Sequence, residues 1–344
     1  MKIAVFEVEA WEREAFEPLQ REHEVFFAEE QLSTKNAERF SDCQIISTFI
    51  YSRIDARVIE TLPRLQMIAS RSTGFDHIDT ERCDERGITV ANVPTYGENT
   101  VAEHVFALLL AISHRLVDAV DRTRRGDFSQ QGLQGFDLAG RTLGIIGTGN
   151  IGRYVARIAK GFGMQVVAFD IKPDHDLAKE IGFEYVEMDE LLDRTDVVTL
   201  HVPGGEATRN LLSHAQFARM KRGAILINTA RASVVDVDAL LHALSDGTVA
   251  AAGLDVLPEE PAIREEAELL RRYFAHEHNL DSLLAGHLLL RMRNVIITPH
   301  SAFNTREAVQ RILDTTLKNI RGYLSGSPVN IVNEPATTHQ SARG

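Results

Sequence analysis

Cysteine is almost missing from this chain: Cys43 and Cys83 are the only two in 344 residues. They cannot build a disulfide framework, and their spacing matches no metal motif. Histidine patterns that hold a metal are missing as well. His276-Glu-His278 has no third ligand at a useful spacing, and no H-E-x-x-H occurs. Positive charge is in short supply, since 37 Lys and Arg face 49 Asp and Glu. The resulting net charge of −12 argues against nucleic acid or an anionic membrane as a partner. Long apolar runs are lacking too; the longest, Val105 to Ile112, is too short to span a bilayer. The opening Met1-Lys-Ile-Ala-Val-Phe-Glu carries an acid early and reads as a strand, not a signal peptide, so a cytoplasmic protein is expected. Neither a G-x-S-x-G nucleophile elbow nor a G-x-x-x-x-G-K phosphate loop is found.

What remains is an ordinary globular composition, 44% hydrophobic and 25% charged, with enough length for two domains. Short apolar strands alternate with amphipathic segments in two series. The first has strand candidates at 3–8, 25–28, 45–48, 67–70 and 89–92, with helical stretches at 11–22, 34–39 and 56–60. The second has strands at 142–146, 165–169, 184–186, 197–202, 224–228, 250–254 and 294–298. This rhythm predicts an α/β fold with two doubly wound parallel sheets, Rossmann- or flavodoxin-like, and a cleft between the domains. Residues 100–120 read as one long buried helix, 264–293 as helical, and 305–325 as a helix before a returning segment at 329–333.

The second series opens on Thr142-Leu-Gly-Ile-Ile-Gly147-Thr148-Gly149-Asn150-Ile151-Gly152, and its next strand ends at Asp170. Strand, G-x-G-x-x-G, helix, strand and acid stand in the order a dinucleotide needs. Gly147 permits the tight turn, Gly149 lets backbone amides approach a pyrophosphate, and Gly152 allows close helix–strand packing. The helix N-terminus favours phosphate charge. Asp170 would accept hydrogen bonds from a ribose 2′-hydroxyl and repel a 2′-phosphate, which favours NAD over NADP.

Four strand ends carry groups able to do chemistry. Ile227-Asn-Thr229-Ala230-Arg231 ends in an arginine, whose planar fork suits a carboxylate. Asp255 ends a strand and precedes Pro258-Glu259-Glu260-Pro261, a stiff turn that can hold a carboxylate against a neighbour or simply lie in solvent. His300 follows a strand-ending Thr298-Pro299 and is an acid/base candidate. Ser72-Thr73-Gly74 is a turn after a strand, either a nest of backbone amides for an anion or an ordinary β–α turn.

Together these residues resemble the D-isomer-specific 2-hydroxyacid dehydrogenases, and within them the D-lactate dehydrogenase-like branch, over about residues 1–333. The resemblance implies a substrate domain at 1–98 plus 301–333 and an inserted NAD-binding domain at 99–300; the polar stretch 334–344, which has no periodicity, is expected to be a disordered tail. It implies Arg231, Glu260 and His300 as the catalytic arginine, glutamate and histidine. His300 would protonate the alkoxide as a 2-keto acid is reduced, Glu260 would favour the charged ring from its far nitrogen, and Arg231 would hold the substrate. Ser72, Thr73 and Gly74 would anchor the substrate carboxylate, and Tyr96, Phe303 and Tyr51 would either line a pocket for a short side chain such as pyruvate's or serve as packing between the domains. His201-Val202-Pro203 would lie beside the adenine, with Thr208 near the same cofactor. Thr229, Ala230 and Asp255 would lie near the nicotinamide, Asp255 accepting from its carboxamide. Arg231 and His300 would also touch NAD, no metal is expected, and the family suggests a homodimer through the cofactor domain, including the helix after Thr100.

The chain departs from the family pattern in places. Ala232 stands where glycine usually follows the arginine, Gly97-Glu98-Asn99 replaces Ser-Pro after Tyr96, and Gly204-Gly205 replaces bulkier residues. Other readings are a glyoxylate/hydroxypyruvate reductase or a phosphoglycerate dehydrogenase, for whose phosphate Arg71 is a lone candidate cation. From another class, a corepressor of the C-terminal binding protein kind would keep the fold, NAD and the trio.

Overall fold

The computed structural model describes residues 1–257 and 280–335, the stretch 280–285 by its backbone alone. Of the stretch expected helical at 264–293, Leu280–Arg291 is a helix and 264–279 lies outside the described residues, as does most of the expected disordered tail, 336–344. The chain divides into two compact units, Met1–Tyr96 with the chain from Thr305 onward, and Gly97–Asn304.

In the first unit five parallel strands form one sheet: β1 (Lys2–Val5), β2 (Glu24–Phe27), β3 (Ile45–Thr48), β4 (Met67–Ser70) and β5 (Thr89–Ala91), ordered β2-β1-β3-β4-β5. Every residue of β3 and β4 is buried, as in a sheet covered on both faces. Phe6, Ile46, Ile59 and Ile68 belong to its core. The strand order reverses between β1 and β3, where doubly wound sheets leave a crevice. Here the protein's own side chains fill it. Glu7, at φ 52°, accepts hydrogen bonds from the amides of Phe49 (2.9 Å) and Tyr51 (2.8 Å) and from the Ser52 hydroxyl (2.5 Å). Arg71 is 2% exposed and donates to the carbonyls of Phe6 (2.6 Å) and Glu7 (2.7 Å). It is an internal strut, so it is not the phosphate-binding cation considered above.

The first expected helix is instead a 3-10 segment, Ala10–Phe16, that runs into a short helix, Glu17–Gln20, with Pro18, which has no N–H, at the join. The stretch expected helical at 34–39 contains a 3-10 turn, Ala37–Phe40. The Arg306–Leu324 helix starts on Thr305, whose hydroxyl accepts from the Ala308 amide at 3.2 Å. Beyond it the chain does return to the first sheet: Ile331 bridges to Ala91 of β5 in antiparallel sense. A file of asparagines ties this return to the Ser72–Gly74 turn. Asn330 donates to the Asn319 side chain (2.8 Å), Asn319 to the Asn92 carbonyl (2.7 Å), and Asn92 to the Thr73 carbonyl (2.8 Å).

The second unit has seven parallel strands: β6 (Thr142–Ile146), β7 (Gln165–Phe169), β8 (Glu184–Tyr185), β9 (Val197–Leu200), β10 (Ala224–Asn228), β11 (Val249–Leu254) and β12 (Val295–Ile297). Their order is β12-β11-β10-β9-β6-β7-β8, with the reversal between β6 and β9. One face packs Leu200, Leu226 and Leu254 into a core, the other packs Ile145 and Ile227 against Val105 and Leu109.

The long helix expected at 100–120 is two helices, Glu98–Ser113 and Leu116–Arg124, bent by 64°. Arg115 is left-handed at φ 47°. The cause is tertiary: the Phe136 amide takes the Ser113 carbonyl at 3.0 Å, where a Cβ on Gly135 would lie 1.9 Å from that oxygen. Only the first helix is buried. Leu116, Val117 and Val120 are exposed on the second. Among the described residues no single helix is long and apolar enough to cross a membrane, and no group of three or more acidic, His or Cys side chains could hold a metal.

Candidate active site

The second sheet brings the candidate groups to one edge. Five neighbouring parallel strands, β12, β11, β10, β9 and β6, run out into His300, Asp255, Arg231, His201 and Gly147 respectively. Ligands of such sheets sit beyond the carboxyl ends, at the reversal of strand order.

Gly147 follows β6 at that reversal with φ 94°, and a Cβ there would lie 2.6 Å from the His201 carbonyl oxygen. Gly152 sits in the first turn of the Asn150–Gly161 helix, where a Cβ would lie 2.1 Å from the Gly147 carbonyl oxygen. At Gly149, by contrast, a Cβ would meet nothing within 4 Å. The turn is therefore compressed on its inner side and open at its middle glycine, which is the fit a pyrophosphate needs against backbone.

Asp170 closes β7. Its Oδ2 accepts from the Thr148 amide (2.7 Å) and hydroxyl (2.9 Å), and its Oδ1 from the Lys172 amide (2.8 Å). Burial acts to raise its pKa, but these hydrogen bonds outweigh it and hold the carboxyl below the usual value. A carboxylate offers roughly four acceptor positions, so one stays available for a ribose hydroxyl. Tyr185 is a partner the sequence reading missed: its hydroxyl lies 2.8 Å from the Thr148 hydroxyl. Ile171 beside Asp170 is 86% exposed, an apolar surface next to that carboxylate that the sequence reading did not single out.

The His201 ring shares a 2.9 Å hydrogen bond with the Thr199 hydroxyl, and burial pushes its pKa down to about 3. Val202 packs on Gly147, a Cβ there falling 3.0 Å from its side chain. Pro203 and Thr208 close one loop, the Thr208 hydroxyl donating to the Pro203 carbonyl at 2.6 Å. Gly204 lies inside it, where a Cβ would be 3.2 Å from Arg231 Cγ, so this departure from the family pattern makes room for the arginine stem.

The Arg231 loop is stapled by Asn228, 1% exposed, which donates to the Arg231 carbonyl (3.0 Å) and accepts from the Ala230 amide (3.0 Å). Thr229, between them, has a buried hydroxyl without a hydrogen-bond partner in the protein. Ala232 opens a 3-10 turn and does not adopt positive φ, so it needs no glycine. Asp255 is 1% exposed, with Oδ1 accepting from the Thr298 hydroxyl (2.5 Å) and Ser301 amide (2.9 Å), and Oδ2 from the Ala302 amide (2.9 Å). It thus holds the loop that carries His300, a task that residue type did not reveal. The same bonds tie Ser301 and Ala302 to the end of β11, within the compact unit Gly97–Asn304. His300 itself has φ 51°, uncommon for a residue with a Cβ. Glu260 lies outside the described residues.

Residues 106–302 match the family model described as D-isomer specific 2-hydroxyacid dehydrogenase, NAD binding domain. The chain belongs to that family. It is 38% identical over 302 residues to a glyoxylate reductase of Korarchaeum cryptofilum, covering 86% of this chain and 85% of that protein. It is 33% identical over 333 residues to a D-lactate dehydrogenase of Escherichia coli, covering 95% and 98%. Among solved structures, the D-lactate dehydrogenase from Aquifex aeolicus complexed with NAD and lactic acid superposes with a TM-score of 0.86 at 34% identity, covering 97% of this chain and 100% of that one. As a D-2-hydroxyacid dehydrogenase the chain is an NAD-dependent oxidoreductase acting on CH–OH groups.

Among the residues expected to meet the substrate, the Ser72–Gly74 turn is held by its own hydroxyls. Ser72 donates to the Gly74 carbonyl at 2.6 Å, and Thr73 to the Val93 carbonyl at 2.8 Å. Tyr51 stands edge-on to Phe49, with ring centroids 6.3 Å apart. The Tyr96 carbonyl accepts from the Arg311 guanidinium. Tyr51, the turn and Tyr96 belong to the first unit and Phe303 to the second.

Proposed function

We propose that this dehydrogenase reduces a small, pyruvate-like 2-keto acid to the D-2-hydroxy acid with NADH. The observation that supports it most is the shared strand edge, where Arg231, Asp255 and His300 follow one another beside the glycine turn. Gly147–Gly152, Asp170, His201–Pro203, Thr208, Thr229 and Ala230 would hold the cofactor, which when bound supplies hydride to the keto carbon. His300 donates the proton the carbonyl oxygen needs as it becomes a hydroxyl. Arg231 holds the carboxylate and offsets charge growing on that oxygen. Glu260 enters through the resemblance, as the partner of the far imidazole nitrogen. The Ser72–Gly74 turn takes the substrate carboxylate, and Tyr51, Tyr96 and Phe303 keep the side chain short. The burial of Arg71 removes the one candidate cation for a phosphorylated substrate.

Glyoxylate or hydroxypyruvate reduction is the second reading, favoured by the identity to the glyoxylate reductase. Steady-state rates with a panel of 2-keto acids and both NADH and NADPH separate the two. The highest kcat/KM with pyruvate supports the first reading, and with hydroxypyruvate or glyoxylate the second. Negligible turnover despite tight NADH binding would point to a corepressor-like protein. His300→Ala and Arg231→Ala should each cost about 10²–10⁴ in turnover with the fold intact; near wild-type rates in either would overturn the role given to that residue.

We also propose a homodimer. Leu116, Val117 and Val120 on the Leu116–Arg124 helix, with Phe128 after it, expose apolar surface that a second copy would cover.

A further inference from the structure

The Glu98–Ser113 helix lies hard against β11. A Cβ on Gly253 would fall 3.0 Å from Leu108 Cβ and 2.8 Å from Ile227 Cδ1, so glycine gives the helix this close approach without displacing either side chain. One consequence is that His104, on that helix, meets the end of β11 and the start of the His300 loop. Its Nε2 is 3.0 Å from the Thr298 hydroxyl oxygen and 3.5 Å from Asp255 Oδ1. The Thr298 hydroxyl has a single proton and gives it to Asp255 Oδ1 at 2.5 Å. Its oxygen must therefore accept from His104, which fixes the proton on Nε2.

We propose that His104 is a positioning residue for the acid/base loop, acting through Thr298 and Asp255 on His300. The proposal rests on the reading above, in which His300 moves the proton. Asp255 is buried to 1% exposure, where a carboxyl group is costly to place unless it is hydrogen-bonded. Its donors bracket His300: Thr298 on one side, the Ser301 and Ala302 amides on the other. Between them His300 donates its amide to the Thr298 carbonyl at 2.9 Å and takes φ 51°, a conformation held only when its surroundings impose it. His104 completes this bracket from a different element of the same unit. Without its N–H, the Thr298 hydroxyl loses its donor and is free to turn away from Asp255. The bracket then slackens on the side where the imidazole enters the loop.

Misplacing a proton donor by an ångström costs up to about 100-fold in rate. His104→Leu should lower kcat by about 10- to 100-fold. KM for the keto acid and the NADH dissociation constant, read by fluorescence titration, should stay near wild type. His104→Gln, which returns an N–H, should recover most of the loss. Thr298→Val breaks the same bond and keeps the proposal testable where His104→Leu fails to fold. Added to Thr298→Val, the His104→Leu change should cost little more. A kcat in His104→Leu or Thr298→Val within twofold of wild type would overturn the proposal. So would a His104→Gln enzyme no better than His104→Leu while both bind NADH normally. His300→Ala measured alongside separates the two levels: if it is inactive and His104→Leu is fully active, the positioning role fails alone. If His300→Ala itself turns over normally, the acid/base reading fails and takes this proposal with it.

Discussion

At the scale of single residues, Asp170 is the group proposed to choose between two cofactors that differ by one phosphate. Its hydrogen bonds from Thr148 and Lys172 keep it ionised and leave room for a ribose hydroxyl. Asp170→Ala should weaken NADH binding by about 10- to 100-fold, the worth of a hydrogen bond to a charged group, and narrow the gap to NADPH. Paired titrations with the two cofactors check it, and a wild-type preference for NADPH would end the argument. His201 makes a different prediction. Burial sets its folded value near 3, below the value of about 6.5 for an unfolded histidine. The unfolded chain therefore takes up the proton first, and stability is full above about pH 6.5 and declines as the pH falls toward 3. The slope is at most about 1.4 kcal/mol per pH unit, and less here because the ring keeps some solvent contact. His201→Gln should flatten it, seen as a smaller difference between urea midpoints at pH 7 and pH 5; equal differences would clear the ring. Residue type and strand-end position made Arg231, Asp255 and His300 legible in the sequence. The inward task of Asp255 was not, because its partners His104, Ser301 and Ala302 come from other parts of the chain. Nor was Asn228, which reads as the last residue of a buried strand until its two hydrogen bonds are seen.

At the scale of elements, the middle and last glycines of the nucleotide turn should fail differently. Gly152→Ala puts a Cβ 2.1 Å from a backbone oxygen, which cannot step aside, so both Tm and NADH binding should drop. Gly149 has open space and extended backbone, with φ −62° and ψ −160°, so Gly149→Ala should keep Tm and lose NADH affinity. Calorimetry and a binding titration read the pair; a Gly149→Ala protein that binds NADH normally would mean the phosphates lie elsewhere. The strands were the legible elements. Runs such as Ile45-Ile-Ser-Thr and Ala224-Ile-Leu-Ile-Asn are apolar because both faces are covered, and that burial is written into consecutive residues. The break at Arg115 was illegible because its cause sits at Gly135 and Phe136, across the packed unit. The same limit hid the 3-10 character of Ala10–Phe16, where composition is compatible with either helix.

At the scale of the whole molecule, the bent pair of helices gives the association a test. Leu116→Asp with Val120→Asp should leave a folded protein that sediments as a monomer where the wild type sediments as a dimer. A wild-type monomer at micromolar concentration would remove the proposal. The asparagine file in the first unit bears on a different matter, the order in which the chain can be finished. Thr73 is fastened to Asn92, Asn92 to Asn319, and Asn319 to Asn330. Residues 97–304 form a unit of their own and are synthesised complete before Asn319 or Asn330 exists. Domains close as units while the chain emerges. The ribosome therefore delivers a nucleotide-binding half that can fold at once, and a Ser72–Gly74 turn that must wait, half built, for more than two hundred later residues to arrive.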